Sequence, residues 1–465
     1  MIRPLIGITL ACTLSACGFI QQRELAIGAK AACSATYVAN RPLADVYTQD
    51  LRPIDKVIPL HVIHPMRDAR IAPAVDGQGV QASLGDLQVT ARFRGDLGCA
   101  LDHGPASMDA PAAQCIPQAP ALRSDLPWPE GEPEGSAVLA GAPDTGVAQA
   151  VRQHIQDHAN NGARAVVVVK GGRIVAEAYA DGFGAHSKLL GWSMAKSVTG
   201  MLLGAALKTS DVNRDIAQWL PASNLAPRMG KITVRDLLEM RSGMAWNENY
   251  GSPAADVNNM LFDASDMADY AMRQPSVAEP GQVFKYNSGS SNVLQAILRQ
   301  ELEQRTGGYR GYCSFPYTAL FHPIGALSAR FEADGHGTYV GSSYLHATAR
   351  DWARLGLLLL HEGRWPATGQ QVLPRDWVQQ SKPGVRHSGF AYGWQLWGLV
   401  DETWLMRMGS DEGIPADAFH MSGHWGQSVS VIPSRDMVIV RLGWSTQNGS
   451  YRGDDFLRAV LAASQ

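Results

Sequence analysis

Short runs of hydrophobic residues with the length of β-strands occur in two pairs, one near residue 165 and one close to the C-terminus. Residues 165–169 read Ala-Val-Val-Val-Val, and a Gly-Gly pair separates them from a second run at 173–180. A Gly-Gly pair between two such runs is typical of a two-residue β-hairpin turn. Residues 428–432 and 437–443 form the second pair. The pattern therefore predicts one hairpin at each end of this region.

The segments around these strands have the 3.6-residue hydrophobic spacing of helices. They are residues 147–160, 193–207, 232–240, 349–361 and 454–463. Strands at both ends with helices between them predict an α/β fold. We expect one antiparallel sheet built from N- and C-terminal segments and flanked by helices, with a mainly helical subdomain in the middle.

The first 17 residues have the pattern of a bacterial export signal. Arg3 supplies a positive charge, and residues 4–16 form an apolar run too short to span a bilayer. The run ends in Leu-Ser-Ala before Cys17, which resembles a lipobox, where the cysteine receives a lipid and becomes the first mature residue. We therefore expect a periplasmic protein held to the membrane by this lipid alone, and Gly18 favours the outer membrane. An ordinary signal peptide with an incidental cysteine is the alternative.

Export also determines how the other cysteines are interpreted. Besides the two at positions 12 and 17, the chain has Cys33, Cys99, Cys115 and Cys313. Four cysteines allow three pairings, and an oxidising compartment favours disulfides over free thiols. We predict a Cys99–Cys115 pair, because these residues are close in sequence and flank a loop rich in Pro, Ala and Gly. Cys33–Cys313 is then the complement.

The chain before residue 145 differs in character from the rest. Residues 88–94 alternate like a strand, whereas residues 104–145 are dense in Pro, Gly and Ala, as in an extended connector. We expect a signal peptide at 1–17, an N-terminal extension with a wrapping connector at 18–144, and a globular domain at 145–465. The extension is expected to pack against that domain.

Composition and charge narrow the functional classes. The 465 residues are 45% hydrophobic and 18% charged, with a formal net charge of -3. This length is enough for one large or two ordinary domains. The near-neutral balance gives no electrostatic reason to expect nucleic acid as a partner. The sequence has no CxxC or HExxH spacing, so we expect neither a metal site nor a cofactor. It leaves the oligomeric state open.

The strongest chemical signal is an S-x-x-K pair, Ser193 and Lys196, at the start of an apolar helix. Residues three apart lie on the same face of a helix, so the hydroxyl and the amine come within reach of each other. A serine that passes its proton to a neighbouring amine becomes a nucleophile. Four-residue patterns of this kind also occur at exposed helix starts, so the sequence context decides between the two interpretations.

Further segments supply that context. After the S-x-x-K helix come ITVRDLL and SGM at 232–244, PGQVFKYNS at 280–288 and GHWGQ at 423–427. This order resembles the serine β-lactamase and penicillin-binding-protein superfamily. Within it the chain is similar to class C-like esterases, and most of all to the 6-aminohexanoate-dimer hydrolase group. The resemblance covers residues 145–465 and implies a β-lactamase-like fold that performs acyl transfer on a serine.

The resemblance assigns the second catalytic element to Tyr286, where this chain has Tyr-Asn-Ser in place of the Tyr-x-Asn of class C enzymes. A nearby lysine ammonium favours the phenolate, so we expect a lowered pKa for Tyr286. The phenolate would take the Ser193 proton and return it to the leaving group. Lys196 either provides the positive charge that favours the phenolate or is itself the base. Ser288 holds Lys196 or a substrate carbonyl, or makes only a local hydrogen bond.

The third element is the strand that forms one wall of the site. Relatives carry Lys-Thr-Gly there, and this chain has Met421, Ser422 and Gly423 at that position, or His424, Trp425 and Gly426 in the alternative alignment. That lysine helps to bind the carboxylate of β-lactams and D-Ala-D-Ala peptides, so its absence argues against both activities. The N–H of His424 is expected to form the oxyanion hole together with the N–H of Ser193, at the positive end of its helix.

Two aromatic residues, Tyr250 and Trp425, are candidates for substrate contact together with Ser288, Ser422 and Gly423, and packing is the alternative for both aromatics. The sequence thus predicts a lipid-anchored serine hydrolase that cleaves a small-molecule ester or amide through an acyl-enzyme. A β-lactamase or D,D-carboxypeptidase is one alternative. A non-catalytic cell-envelope binding lipoprotein is the other.

Overall fold

The computed structural model describes residues 5–464 with several gaps. The gaps are residues 55–64, 105–107, 112–113, 122–124, 132–145, 222–224, 227–228, 253, 384–385, 388–389, 399–412 and 447–452. In the described part of the chain, no helix has both the length and the hydropathy needed to cross a bilayer. Cys17 lies within the first helix, and its lipidation stays a prediction.

The N-terminal extension has a fold of its own. Helix α1, Leu5–Cys33, packs against a four-stranded antiparallel sheet in the order β1-β2-β3-β4. The strands are β1 Arg70–Pro73, β2 Gly79–Leu84, β3 Leu87–Phe93 and β4 Cys99–Leu101. Strand β3 confirms the strand predicted at 88–94. Three short helices follow α1 in the sequence and precede the first strand of this sheet: α2 Leu43–Val46, α3 Arg52–Ile54 and α4 Pro65–Asp68.

The predicted disulfide pairing is wrong. Cys33 is bonded to Cys99, and Cys115 is bonded to Cys313. Cys33 ends α1 and Cys99 begins β4, and the packing of α1 on this sheet brings the two together. Cys115 lies in the connector, so its bond to Cys313 ties the extension covalently to the second half of the chain.

Described parts of the connector lie against the globular domain. Trp128 is 2% exposed, and its carbonyl accepts a hydrogen bond from Arg173 Nη1 at 3.0 Å. Arg354 Nη2, on a buried helix, donates to the carbonyl of Gly131 at 2.9 Å. The connector therefore accepts hydrogen bonds from two cationic side chains of the domain it crosses, and of these Arg354 is fully buried.

The main sheet has five antiparallel strands in the order β12-β13-β14-β5-β6. They are β5 Ala163–Lys170, β6 Arg173–Tyr179, β12 Phe419–Gly423, β13 Gln427–Ile432 and β14 Met437–Gly443. Because β14 pairs with β5, the two ends of the domain join in one sheet, as predicted. In β5, Val167 and Val169 pack into the main core, whereas Val166 and Val168 pack into a second core on the other face. This is the alternation expected of a strand that is covered on both faces.

Helices pack on both faces of this sheet. The described helices of the domain are α5 Gly146–Gln156, α6 His158–Asn161, α7 Met194–Ala206, α8 Val234–Leu238, α9 Asp256–Phe262, α10 Met267–Met272, α11 Ser288–Thr306, α12 Tyr309–Phe315, α13 Ala349–Leu360, α14 Arg375–Ser381 and α15 Gly453–Ala463. Helices α5 and α15 pack together on one face, and α13 packs on strands β13, β14 and β5. The other strands are β7 Leu189–Leu190, β8 Arg330–Phe331, β9 Leu345–Ala347, β10 Arg386–His387 and β11 Phe390–Ala391.

The middle of the chain is mainly helical, and two of its helices determine where the site lies. Helix α7 is buried along most of its length, and α11 packs against it. Ser193 stands at the N-cap of α7, and Ser288 is the first residue of α11. The N-termini of both helices therefore meet beside the edge strand β12, which also contacts α7.

Candidate active site

The structure places Ser193 and Lys196 in direct contact at the N-terminus of α7. Lys196 Nζ donates a hydrogen bond to Ser193 Oγ at 2.9 Å, and Lys196 is only 1% exposed. The i to i+3 spacing accounts for this contact. Trp192, just before the serine, has a φ of 48°, a left-handed conformation that is uncommon for a bulky residue. Such strain is found where the surrounding packing holds a functional turn in place.

Lys196 also joins the two helix N-termini. Its Nζ donates to Ser288 Oγ at 3.0 Å and to the carbonyl oxygen of Ser342 at 3.2 Å. Asn287 caps α11, because its side chain accepts a hydrogen bond from the N–H of Ser290. Among the alternatives for Ser288, this geometry favours the one in which its hydroxyl holds Lys196.

Glu248 belongs to the same cluster, although the sequence analysis did not select it. Its Oε1 accepts a hydrogen bond from Ser288 Oγ at 2.5 Å, and its Oε2 accepts from the N–H of Ser288 at 2.9 Å. Oε2 also accepts from Trp246 Nε1 at 2.6 Å, and Oε1 lies 4.0 Å from Lys196 Nζ. The sequence signal that could have identified Glu248 is its position as a carboxylate between Trp246 and Tyr250, in a loop beside the pocket.

The loop that carries Glu248 is anchored to α9. Asp256 accepts a hydrogen bond from the N–H of Asn247 at 2.8 Å. Asn258 Nδ2 donates to the carbonyl oxygens of Tyr250 at 3.0 Å and Ser252 at 2.9 Å. These bonds fix the loop backbone, so the carboxylate and the tyrosine are held at the site by a packed helix.

The expected lowering of the Tyr286 pKa is wrong. Burial raises the pKa of Tyr286, and the Glu248 carboxylate raises it further, whereas a hydrogen bond with Ser193 only partly opposes them. A phenolate here would be removed from water beside a negative charge. Tyr286 still lies at the site, with its ring centroid 4.8 Å from Lys196 Nζ. Burial and the Glu248 carboxylate therefore favour the neutral phenol over the phenolate.

The pKa of Lys196 is shifted in the opposite direction, towards lower values. Burial lowers its pKa to about 8, while Glu248 acts to raise it. A lysine whose pKa lies near 8 has a substantial neutral fraction in mildly alkaline solution, in which its nitrogen can accept a proton. Of the two candidate bases named by the sequence, burial shifts Lys196 towards its basic form and shifts Tyr286 away from its basic form.

Strand β12 approaches the serine closely because Gly423 lacks a side chain. A Cβ on Gly423 would lie 2.2 Å from the carbonyl oxygen of Gly191, two residues before Ser193. Met421 and Ser422 precede this glycine on the same edge strand, and Ser422 pairs with Ser428 in the ladder. The backbone of β12 can therefore lie against the turn before Ser193 only because residue 423 is a glycine, and any side chain at this position would prevent the contact.

The turn after β12 carries the second candidate oxyanion donor. Gln427 Nε2 donates to the carbonyl oxygens of His424 at 3.0 Å and Trp425 at 3.2 Å, which fixes the turn. Within the described parts of the chain, the N–H groups of Ser193 and His424 donate to no protein acceptor. Both remain available for a developing negative charge, as an oxyanion hole requires.

The two candidate aromatics differ in position. The Tyr250 ring stacks on His424, with centroids 4.6 Å apart, and burial and the Glu248 carboxylate raise the pKa of its phenol. Trp425 also contacts His424, with ring centroids 4.6 Å apart, and it packs on Trp192 and Trp444 at 5.4 and 4.4 Å. Both aromatics therefore contact the residue that carries the second candidate oxyanion donor, and Trp425 is in addition part of a tryptophan group beside the site. In the described part of the chain, no cluster of His, Cys, Asp or Glu is suited to hold a metal ion.

The fold and this arrangement define a class of protein. The family model described as Beta-lactamase matches residues 147–464, so the chain belongs to the Beta-lactamase family. The resemblance to the serine β-lactamase and penicillin-binding-protein superfamily is thereby confirmed.

Individual relatives narrow the comparison. The chain is 26% identical over 299 residues to the 6-aminohexanoate-dimer hydrolase of Paenarthrobacter ureafaciens, covering 60% of this chain and 71% of that one. A structure from Bacillus anthracis, provisionally named a 6-aminohexanoate-dimer hydrolase, matches with a TM-score of 0.54 and 23% identity over 66% of this chain and 80% of its own. EstCE1, described as a hydrolase with promiscuous acyltransferase activity, matches with a TM-score of 0.52 and 15% identity, covering 69% and 98%. The two structures support the fold alone.

Proposed function

We propose that this protein is a serine hydrolase that cleaves an ester or amide bond of a small molecule through an acyl-enzyme on Ser193. The observation that carries the proposal is the hydrogen-bonded chain from Ser193 through Lys196 and Ser288 to Glu248. It links a nucleophile to a base with a lowered pKa and to a carboxylate that stabilises the base once it is protonated.

Acylation begins with neutral Lys196. Its nitrogen takes the proton of Ser193 while Oγ forms a bond to the substrate carbonyl carbon. The negative charge that develops on the carbonyl oxygen is stabilised by the N–H groups of Ser193 and His424. Loss of one such donor typically costs about 2.7–4 kcal/mol of transition-state stabilisation. The ammonium that forms on Lys196 lies 4.0 Å from the Glu248 carboxylate.

Collapse of the tetrahedral intermediate requires a proton on the leaving group. Burial and the Glu248 carboxylate favour the neutral phenol of Tyr286, and Ser193 is near enough to influence its pKa, so Tyr286 is the candidate donor of that proton. The resulting phenolate recovers a proton from the Lys196 ammonium, which returns Lys196 to its neutral form. In deacylation, a water passes its proton to Lys196 and attacks the acyl carbon, and Ser193 Oγ leaves with a proton.

The substrate class follows from the wall strand and the relatives. The absence of Lys-Thr-Gly removes the cation that would bind a β-lactam or D-Ala-D-Ala carboxylate, and Met421 to Gly423 stand there instead. The curated relative is named for an amide substrate, the 6-aminohexanoate dimer. An amide or ester of a small acid is therefore favoured over a β-lactam. We extend the proposal to a periplasmic location with a lipid on Cys17.

The test is intact-protein mass spectrometry during turnover of p-nitrophenyl butyrate, with nitrocefin and a 6-aminohexanoate dimer in parallel. We expect a butyryl adduct on Ser193 with release of p-nitrophenol, and neither in Ser193→Ala. Ser210→Ala is the matched control, because Ser210 is exposed and lies beyond the end of α7. Rapid nitrocefin turnover without ester cleavage would favour a β-lactamase. A folded protein inert to all three substrates would favour a binding protein.

A further inference from the structure

A buried carboxylate of the Beta-lactamase domain takes its partners from the N-terminal extension. Glu332, directly after β8, is 0% exposed. Its carboxylate pairs with Lys30 of α1 at 3.0 Å, and it accepts hydrogen bonds from Ser34 Oγ at 3.0 Å and from the N–H of Cys99 at 2.7 Å. Burial acts to raise the pKa of the Glu332 carboxyl, but Lys30 and the hydrogen bonds outweigh burial and lower it. The carboxylate is therefore ionised, and the extension neutralises it.

The same ion pair fixes the segment that follows Glu332. The N–H of Glu332 donates to the carbonyl oxygen of Tyr344 at 2.8 Å, and its carbonyl oxygen accepts from the N–H of Val340 at 2.9 Å. Lys30 Nζ lies 3.8 Å from the centroid of the Tyr344 ring, which is a cation–π contact. Both ends of residues 340–344 are thus held by the ion pair and its backbone.

Residues 340–345 also contact the candidate base and the turn before the candidate nucleophile. The carbonyl oxygen of Ser342 accepts a hydrogen bond from Lys196 Nζ at 3.2 Å. The carbonyl oxygen of Leu345 accepts from the N–H of Gly191 at 2.8 Å. The segment therefore joins the buried ion pair to the N-terminus of α7.

We propose that Lys30 and Glu332 are positioning residues for Lys196, because their ion pair holds residues 340–345 so that the Ser342 carbonyl stays against the lysine nitrogen. This inference rests on the proposed function, in which Lys196 is the base. It makes the N-terminal extension a working part of the active site, since Lys30 belongs to α1. A carboxylate left unpaired at this buried position is costly, so loss of Lys30 is expected to move the segment.

Loss of the Ser342 contact has a defined effect on Lys196. A carbonyl oxygen that accepts a hydrogen bond from an ammonium favours the charged form, so its withdrawal lowers the pKa of Lys196 below about 8. Direct electrostatics acts the other way, because removing the positive charge of Lys30 raises the pKa of another cation. A shift to lower pH thus separates positioning from an effect through space.

Other titratable groups lie near these residues. Glu248 and Tyr286 face Lys196, and the variants below leave both in place. Arg94 and His346 lie near the buried ion pair. Burial lowers the pKa of His346 to about 4, so this histidine stays neutral at pH values near the pKa of Lys196.

The test compares Lys30→Met with Arg164→Met as the matched control. Arg164 is also a buried cation of this interface, since it pairs with Asp50 of the extension, and in the described structure its side chain makes no hydrogen bond to residues 340–345. We expect the acidic limb of kcat/KM for p-nitrophenyl butyrate to move to lower pH by about one unit in Lys30→Met, as for a lost hydrogen bond to a charged group. The limb should stay in place in Arg164→Met, although both variants lose stability.

A second measurement needs no turnover. An NMR titration of isotope-labelled lysine side chains, with the Lys196 signal assigned through Lys196→Met, should show the same fall in the Lys196 pKa in Lys30→Met. A protein that fails to cleave the ester would contradict the proposed function, while this titration would still decide the role of Lys30.

A double variant tests whether the position of the segment can be restored. Lys30→Met combined with Glu332→Gln leaves no unpaired charge, and the amide oxygen still accepts from Ser34 and Cys99, so the acidic limb should return towards that of the wild type. Lys30→Gln takes the place of Lys30→Met if circular dichroism shows that the latter does not fold, with the same expected direction. An acidic limb and a lysine titration that stay in place on loss of the Lys30 charge, or that move to higher pH, would overturn the proposal.

Discussion

The Glu248 carboxylate lies 4.0 Å from the Lys196 ammonium, and Ser288 bridges the two. Ser288 Oγ accepts from Lys196 at 3.0 Å and donates to Glu248 at 2.5 Å. Burial and this carboxylate act in opposite directions on Lys196, and the outcome is a pKa of about 8. In the proposed mechanism, the carboxylate keeps the lysine from becoming too weak a base, and it stabilises the ammonium that forms when Lys196 takes the proton of Ser193.

Glu248→Gln should therefore move the acidic limb of the pH–rate profile to lower pH. The active form needs neutral Lys196, so activity rises as pH passes through the lysine pKa. Removing the carboxylate removes an interaction that raises this pKa, and it falls below about 8. A shift of about one unit corresponds to about 1.4 kcal/mol, well within the interaction of a pair 4 Å apart.

The measurement is kcat/KM for p-nitrophenyl butyrate from pH 5 to about 10, where general-base catalysis by a lysine is resolved. Asp256→Asn is the matched control, because Asp256 supports the same loop through Asn247. It is expected to change the height of the profile without moving its acidic limb. An acidic limb that stays in place in Glu248→Gln, or moves to higher pH, would contradict the role of Glu248.

Tyr286→Phe should impair amide cleavage much more than cleavage of an activated ester. An amine leaves only when it is protonated, whereas p-nitrophenolate leaves without help. Loss of a general acid typically costs about 10²–10⁴-fold, and we expect a loss of that size for butyryl anilide. For p-nitrophenyl butyrate the loss should be below about tenfold, because Lys196 still activates Ser193.

Comparing kcat/KM of the two substrates checks this prediction. Tyr392→Phe is a suitable control, because Tyr392 packs edge-on to Tyr286 with centroids 6.1 Å apart. It should leave the ratio of the two rates unchanged. Equal losses for anilide and ester in Tyr286→Phe would show instead that the tyrosine acts before the leaving group departs.

The parts of the site that the sequence could predict are those set by local spacing. The contact between Ser193 and Lys196 follows from three residues of helix, and the β5–β6 and β13–β14 pairs follow from the two predicted hairpins. The contact between Glu248 and Ser288 joins residues 40 positions apart, and no periodic pattern encodes it. The direction of the Tyr286 pKa shift depends on burial and on that same carboxylate, so it also needed the assembled structure.

The disulfide pairing likewise could not be predicted from spacing along the sequence. Cys99 and Cys115 are neighbours in sequence, and this made their pairing attractive. The partner of Cys99 is instead decided by the packing of α1 against β4, which brings Cys33 to it. Pairing of cysteines depends on tertiary contacts between elements, which spacing along the chain does not report.

Peptide mapping without reduction should recover the pairs Cys33–Cys99 and Cys115–Cys313. The Cys115–Cys313 bond closes a loop with a sequence separation of 198 residues, and on the chain-entropy model a loop this long contributes about 5 kcal/mol. We expect Cys115→Ser with Cys313→Ser to lower the melting temperature clearly while leaving Cys33–Cys99 intact. A Cys99–Cys115 peptide in the digest, or an unchanged melting temperature, would contradict the structure.

Gly423→Ala should damage the candidate oxyanion hole from the strand side. The new Cβ would stand 2.2 Å from the carbonyl oxygen of Gly191, so either β12 or the turn before Ser193 must move. Overpacking of this kind typically costs about 1–3 kcal/mol of stability. Because the N–H of His424 follows directly in the chain, we also expect kcat/KM to fall by about 10²–10³-fold, the loss typical of one oxyanion donor. Gly184→Ala is the matched control, since nothing lies within 4 Å of a Cβ at that position. If Gly423→Ala lost stability but kept the esterase activity of the control, the oxyanion donor would have to be sought away from His424.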